Sequence, residues 1–306
     1  MKKELSVKYG DDRHCDIAEI AAIINTCGII KETKHIIKIQ TENVYVAQKY
    51  FALVKKTFGA EMEVLMRRNK QLNKNRIYMI FVKDPLAADK ILLSTGMQDS
   101  KHMLYQKRIN KLLTKSSCCK RAYIRGAFLS TGSLTNPEKN YHLEFVNNDE
   151  SHATELSELI NSFKLSSKVV LRKEHFVVYL KEGEQIVDLL NIMGAHNSLM
   201  ALENIRILKE MRNSVNRLVN CETANLNKTI SASVQQVEDI NLIKSKKGLL
   251  SLSPQLEEIA MIRLQYPNSS LKEIGQMLSP PVGKSGVNHR LRKISDIAEC
   301  LRREIL

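Results

Sequence analysis

Two nine-residue segments with one shared pattern contain the first candidates for chemistry in this chain. They run from Ile20 to Gly28 and from Ile124 to Gly132, and they begin 104 residues apart. Each opens with a large apolar residue, continues with a small-residue pair and two apolar residues, and ends in polar or small residues before a glycine. The residue just before that glycine is Cys27 in one copy and Thr131 in the other. A thiol and a hydroxyl are both essentially neutral at pH 7, which limits what they could catalyse.

The shared pattern resembles the LAGLIDADG motif of homing endonucleases. In that family the eighth position of each motif carries an acid that binds divalent metal, and here those positions hold Cys27 and Thr131. Mg²⁺ prefers hard anionic oxygen, whereas a hydroxyl is neutral and a thiol is too soft. The small residues that allow two helices to pack closely are retained. The resemblance therefore implies a nuclease-like scaffold with no catalytic residues, no metal and no cofactor.

The order of predicted elements around the two segments also repeats. Each segment ends a helix and is followed by a hairpin, a second helix, a strand pair and a third helix, so that the order αββαββα appears twice. The repeats span about 11–95 and 116–195 of a first domain predicted over 1–210. In the first repeat, the hairpin turn is predicted at 31–34 and the second helix at 44–58.

The remainder of the chain is predicted to be helical. Apolar residues spaced three or four apart predict a long helix from about 197 to 220, and the polar stretch that follows is interpreted as part of a linker over 211–232. The last domain, 233–306, resembles a helix-turn-helix. Pro254 follows a serine at the start of one helix, Ser270 and Glu273 form a capping box for the next, and a stiff turn precedes a third helix from Lys284.

The third of these helices carries potential DNA ligands near its beginning. A buried stripe is predicted along Val287, Leu291 and Ile294, which leaves the other face for solvent or for a major groove. The predicted DNA-binding residues on that helix are Lys284, Ser285, Asn288, His289, Arg290, Arg292 and Lys293. A solvated polar face on an ordinary three-helix bundle is the alternative interpretation of the same pattern.

The whole arrangement resembles the WhiA family of bacterial regulators. The resemblance rests on the two motifs, the tandem element order and two stretches of the chain, 213–229 and 284–294. It implies an α+β fold, in which a tandem αββαββα LAGLIDADG-like domain is followed by an all-α helix-turn-helix domain, and it implies a monomer. It also implies roles in transcription control, in cell division with chromosome segregation, and in sporulation where that occurs.

The charge of the chain favours a polyanionic partner. The formal net charge is +14, and residues 233–306 contribute only +3 of it, so most of the excess lies in the first domain. Basic residues there that are predicted to contact phosphates are Arg67, Arg68, Lys120, Arg121 and Arg125. Solubility alone is the other explanation for such charges. Glycine-rich nucleotide-binding motifs are absent from the sequence.

Composition also bears on the cellular compartment. No apolar run is long enough for a membrane span, and the six cysteines include no CxxC pair. The eight histidines show no HxxxH spacing, so the sequence predicts no metal site. Reduced thiols fit a cytoplasmic, nucleoid-associated protein.

These observations predict a non-catalytic protein that binds double-stranded DNA. Three alternatives remain open. One is an active homing endonuclease, although the expected carboxylates are absent from positions 27 and 131, and another is an RNA-binding maturase-like protein. A third is that the first domain binds a protein partner while only the C-terminal domain contacts DNA.

Overall fold

The chain forms two compact units, Met1–Lys209 and Glu210–Leu306. The computed structural model describes residues 1–10, 12–31, 36–68, 76–98 and 108–303. Within the first unit, the predicted tandem repeat and the α+β class are confirmed. Most of the predicted turn at 31–34 lies outside the described residues.

The first unit consists of a short N-terminal helix followed by two copies of one motif. The N-terminal helix is α1 Lys2–Ser6. In the first copy the elements are α2 Arg13–Cys27, β1 Gly28–Lys31, β2 Ile36–Thr41, α3 Val44–Phe58, β3 Glu63–Arg68, β4 Arg76–Val82 and α4 Pro85–Ser94. In the second they are α5 Ser117–Thr131, β5 Gly132–Leu134, β6 Leu143–Asn147, α6 Glu150–Asn161, β7 Lys168–Arg172, β8 His175–Leu180 and α7 Gly183–Met193.

Each copy contains one antiparallel four-stranded sheet, and the strand order is the same in both. The orders are β1-β2-β4-β3 and β5-β6-β8-β7. In the central strands, alternate residues are buried: Ile37 and Ile39 on β2, and Leu143 and Phe145 on β6. This period of two places one face of each sheet against the helices and leaves the opposite face exposed.

Helices α2 and α5 pack against each other through equivalent residues of the two repeats. Cys15 and Ala18 cluster with Cys119 and Ala122, which are their counterparts 104 positions later. Farther along, a methyl group added to Gly126 would lie 3.0 Å from Ala22 Cβ and 2.6 Å from the Glu19 carbonyl oxygen. The glycine therefore sets how closely the two backbones approach.

A buried ion cluster crosses the same helix pair. The Arg125 guanidinium donates two hydrogen bonds to the Glu19 carboxylate, at 3.1 and 2.8 Å, and Lys49 Nζ of α3 lies 3.5 Å from Glu19 Oε1. All three side chains are buried. Burial lowers the pKa of Lys49, and the adjacent Glu19 carboxylate opposes that shift. The two parallel hydrogen bonds between Arg125 and Glu19 offset the free energy that is lost when charged groups are removed from water.

The second unit is helical. Helix α8 spans His196–Lys246, so its beginning belongs to the first unit and the rest, from Glu210, to the second. A 3₁₀ turn at Leu249–Ser251 follows, and then three helices: α9 Pro254–Gln265, α10 Leu271–Met277 and α11 Lys284–Arg303. Residues 211–232, interpreted from sequence as a linker, are part of α8. Their Asn, Thr and Ser residues interrupt the apolar stripe, but the stretch contains no Gly or Pro and so it can remain helical.

No helix among the described residues has the length and apolar character needed to cross a membrane.

The buried ion cluster yields a stability prediction. Among the described residues, Arg125→Ala would leave Lys49 as the ion-pair partner of the Glu19 carboxylate, and we expect it to lower the free energy of unfolding by about 3–5 kcal/mol. Arg121→Ala on the same helix is the matched control, because Arg121 is exposed. Urea denaturation of both variants measures the difference. Equal stability of the two variants would contradict a structural role for the Arg125 pair.

Candidate nucleic-acid interface

The ends of helices α2 and α5 meet through hydroxyl groups. Thr26 Oγ1 lies 2.5 Å from Ser130 Oγ, and these residues are again 104 positions apart. Ser130 Oγ donates to the Gly126 carbonyl at 2.9 Å, and the single Thr26 proton is shared between Ser130 Oγ and the Ala22 carbonyl, which is 2.7 Å from Thr26 Oγ1. Neutral, internally bonded hydroxyls are poor ligands for a hard divalent cation.

Cys27 and Thr131, which stand where the motif has its metal-binding acids, also lie close to carbonyl groups of their own helices. Cys27 Sγ lies 3.2 Å from the Ile23 carbonyl oxygen, and Thr131 Oγ1 donates to the Ala127 carbonyl at 3.2 Å. The charged group beside Cys27 is the half-buried Lys2, whose pKa is lowered by burial and raised in part by the Cys27 thiol. A cation next to this position opposes metal binding there.

The predicted phosphate contacts of the first unit have different environments. Arg67 is exposed on β3, and the side chain of Arg68 is outside the described residues. Lys120 Nζ donates to Ser162 Oγ at 3.0 Å, and the exposed Arg121 guanidinium lies 5.8 Å from the centre of the Phe163 ring. Arg125 is 6% exposed and bonded to Glu19, so its prediction as a phosphate contact is wrong.

Strands β3 and β7 expose apolar side chains, whereas a phosphate-binding surface would expose mainly basic and polar ones. The exposed apolar residues there are Val64, Leu65 and Met66 on β3, and Val169, Val170 and Leu171 on β7. On the second sheet, Glu144 is paired with Arg172 at 3.1 Å and with His142 at 3.1 Å. These contacts hold the pKa of Glu144 below its usual value although burial opposes the shift. This carboxylate would repel a phosphate.

Helices α10 and α11 are joined by a turn that lies directly on α10. Val282 N donates to the Gly275 carbonyl at 2.9 Å. A Cβ on Gly275 would lie 2.1 Å from the Val282 carbonyl oxygen and 3.1 Å from Val287 Cγ2, so only glycine fits. The predicted capping box is confirmed, because Ser270 and Glu273 exchange side-chain and backbone hydrogen bonds at 2.7 and 3.3 Å.

Helix α11 buries one face and presents its donors on the other. Val287, Leu291 and Ile294 are in the core of the second unit, as the spacing predicts. Lys284, Ser285, His289, Arg292 and Lys293 are exposed, whereas Asn288 and Arg290 are partly buried. Among the described residues, Lys284, Arg290, Arg292 and Lys293 form no ion pairs, so these cations are available to an external anion.

The structure also assembles a side-chain cluster that the sequence analysis missed. His14 and Cys15 in the first turn of α2 meet Cys118 and Cys119 in the first turn of α5. Each pair consists of adjacent residues with neither CxxC nor HxxxH spacing, and the pairs lie 104 residues apart, so only the repeat alignment could have related them. Burial and the neighbouring thiols raise the pKa of Cys15 to about 12.

Comparison with protein-family models matches nearly all of this architecture. Residues 13–98 match the WhiA N-terminal LAGLIDADG-like domain, 120–212 the WhiA LAGLIDADG-like domain, and 215–298 the WhiA C-terminal HTH domain. The chain is thus a protein in which a duplicated LAGLIDADG-like domain precedes a helix-turn-helix. It belongs to the WhiA family, whose models together match well over half of its length.

Relatives and solved structures agree with this assignment. The chain is 50% identical over 307 residues to a probable cell division protein WhiA of Lachnoclostridium phytofermentans, covering 99% of this chain and 98% of the relative. It is 52% identical over 306 residues to the protein of the same name in Thermoanaerobacter pseudethanolicus, covering 98% and 96%. The fold is similar to full-length WhiA from Thermatoga maritima, with a TM-score of 0.62, 24% identity and coverage of 97% and 96%.

The contact between the turn and α10 yields a second stability prediction. Gly275→Ala would push the added methyl group into the Val282 carbonyl, and we expect it to destabilise the second unit by about 1–3 kcal/mol. Gly283→Ala is the matched control, since nothing lies within 4 Å of its added methyl group. Chemical denaturation with a probe in the second unit compares the two variants. A similar loss in both would show that the turn does not depend on Gly275.

Proposed function

We propose that this chain is a non-catalytic, sequence-specific DNA-binding protein that regulates transcription. By its resemblance to the WhiA family, its regulated processes would be cell division and chromosome segregation, with sporulation in organisms that form spores. It would act as a monomer bound to double-stranded DNA of the nucleoid. The observation that carries the proposal is the exposed cationic beginning of α11 beside a tightly packed turn.

The arrangement of α11 supports contact with base edges. Lys284, Asn288 and Arg292 follow one another at intervals of four residues, and therefore lie along one line of the helix surface. The line begins at the N-terminal end, where a recognition helix enters the major groove. Arg reads guanine and Asn reads adenine through paired hydrogen bonds, while Lys and the helix N-terminus suit phosphate.

Base reading by α11 predicts a specific loss of affinity. Asn288→Ala and Arg292→Ala should each weaken binding to the preferred duplex by about 1–3 kcal/mol, or roughly 5- to 150-fold. Folding should be unaffected because neither residue is in the buried stripe. Cys300→Ser, an exposed change two turns farther along α11, is the control.

The measurement is a fluorescence-anisotropy titration with a duplex obtained by binding-site selection and with a scrambled duplex. The variants should lose the preference for the selected duplex more than they lose overall affinity. If both variants keep that preference at full strength, α11 is not the reading helix.

The ends of α2 and α5 support the absence of nuclease activity. They present three hydroxyls, Thr26, Ser130 and Thr131, and one thiol, Cys27, which has a lysine beside it. None of these four side chains is a carboxylate, the kind of ligand that holds two metal ions over a phosphate.

We therefore expect purified protein to leave supercoiled plasmid intact with Mg²⁺ or Mn²⁺ while still retarding it on a gel. Nicking that copurifies with the protein and disappears when its acidic residues are mutated would overturn the non-catalytic assignment. A commercial homing endonuclease with its target plasmid serves as the positive control.

A protein partner on the first unit is the second candidate function. It is favoured by the exposed apolar residues of β3 and β7, together with the paired carboxylate of Glu144 on the second sheet. Apolar patches of this kind suit a protein surface better than a phosphate backbone. Under this proposal, Arg67, Lys120 and Arg121 add at most non-specific phosphate contacts.

A further inference from the structure

The beginnings of helices α2 and α5 place four potential metal ligands together. His14, Cys15, Cys118 and Cys119 each offer one ligand atom, and all four atoms lie within 4.8 Å of one another. His14 Nδ1 is 3.1 Å from Cys119 Sγ and 3.4 Å from Cys15 Sγ. A zinc ion with ligands at about 2.0–2.3 Å in tetrahedral geometry needs separations of this size between ligand atoms.

We propose that this cluster is a zinc-binding site that fastens the two repeats together at one end of their helix pair. Three thiolates and one imidazole form a known structural set for Zn²⁺. The ligands are soft, which disfavours Mg²⁺ and Ca²⁺. Binding would release the protons of the three thiols and leave the imidazole neutral.

The surroundings of the histidine provide an independent argument. His14 Nε2 lies 3.3 Å from Asp12 Oδ2, while Nδ1 is directed at the thiols. A metal-binding histidine commonly donates its other ring nitrogen to a carboxylate, which fixes both the tautomer and the ring orientation. Asp12 is the N-cap residue of α2, but its side chain makes no capping hydrogen bond. The carboxylate is therefore free to orient the imidazole.

The symmetry of the repeats explains how the site is built. His14 and Cys118 are equivalent positions of the two repeats, as are Cys15 and Cys119, since each pair is separated by the same 104 residues as the motifs. The pseudo-two-fold relation brings equivalent first turns together. Cys15 and Cys119 are buried, with Ala18 and Ala122 packed beside them, while His14 and Cys118 are exposed. A metal ion could therefore enter from the exposed side.

The site differs in place and chemistry from the metal position of the LAGLIDADG motif. That position lies at the opposite ends of the same helices, where Thr26 and Ser130 meet. Zinc at the helix beginnings would act as a structural crosslink and not as a catalyst.

The first experiment measures metal content in the full-length chain. Protein purified without a polyhistidine tag, under reducing conditions and without chelator, should contain zinc at about one ion per chain by mass spectrometry. Cys118→Ser should lose most of the zinc, and the position is exposed, so the fold should persist. Cys221→Ser/Cys300→Ser is the control, because both thiols are exposed and outside the cluster, and it should keep the metal.

Cobalt substitution tests the geometry. Co²⁺ in the site should give the intense visible bands of tetrahedral coordination and a thiolate charge-transfer band, and Cys118→Ser should abolish or weaken both. Asp12→Asn should lower zinc affinity by about 10- to 100-fold in a competition assay while circular dichroism remains unchanged. If Asp12 only stabilised the fold, Asp12→Asn would leave the zinc affinity of the folded protein unchanged.

Two results would overturn the proposal. One is a chain that holds no zinc and takes up neither Zn²⁺ nor Co²⁺ under reducing conditions. The other is a disulfide between Cys15 and either Cys118 or Cys119 in protein taken directly from cells, found by mass spectrometry of unreduced peptides. If Cys118→Ser is unfolded, the zinc content of His14→Ala tests the proposal instead. His14 is exposed, so the variant should fold, and the loss of this ligand should still release the metal.

Discussion

The close approach of helices α2 and α5 is the constraint on which the first unit depends. Equivalent residues of the two repeats meet along the whole contact, from Cys15 and Cys119 through Ala22 and Gly126 to Thr26 and Ser130. Large side chains at these positions would separate the helices, and both sheets would lose the surface on which they pack. The Glu19–Arg125 pair stabilises the same contact from within, since breaking such a buried pair is costly.

This packing role is retained although the chemistry of the motif is absent. The acid positions of the motif hold a thiol, Cys27, and a hydroxyl, Thr131, and the neighbouring hydroxyls of Thr26 and Ser130 lie 2.5 Å apart. The first unit therefore keeps a LAGLIDADG-like architecture in which the ends of α2 and α5 still pack together. The proposed contact with DNA falls to the second unit. Residues 233–306 carry a net charge of only +3, but cations without ion pairs among the described residues gather at the beginning of α11.

The sequence predicted much of this fold because its periodicities are strong. Helix 44–58 was predicted with its observed bounds, and the capping box at Ser270 was found from spacing alone. Pairings between distant residues could not be predicted this way. Arg125 looked like a surface cation because its buried partner, Glu19, lies 106 residues earlier, and the His14 cluster was missed for a similar reason. The helical conformation of residues 211–232 was not predicted for the whole stretch, because polar residues can continue a helix without an apolar stripe.

Hydrogen exchange of the full-length chain, with and without its selected duplex, tests whether α11 contacts DNA and the ends of α2 and α5 do not. We predict that DNA slows the exchange of backbone amides in the turn and first half of α11, over 282–293, and leaves exchange at the ends of α2 and α5 unchanged. The opposite pattern, with protection at residues 26–28 and 130–132 and none in α11, would contradict it. DNA would then lie on the helix ends, as on a nuclease.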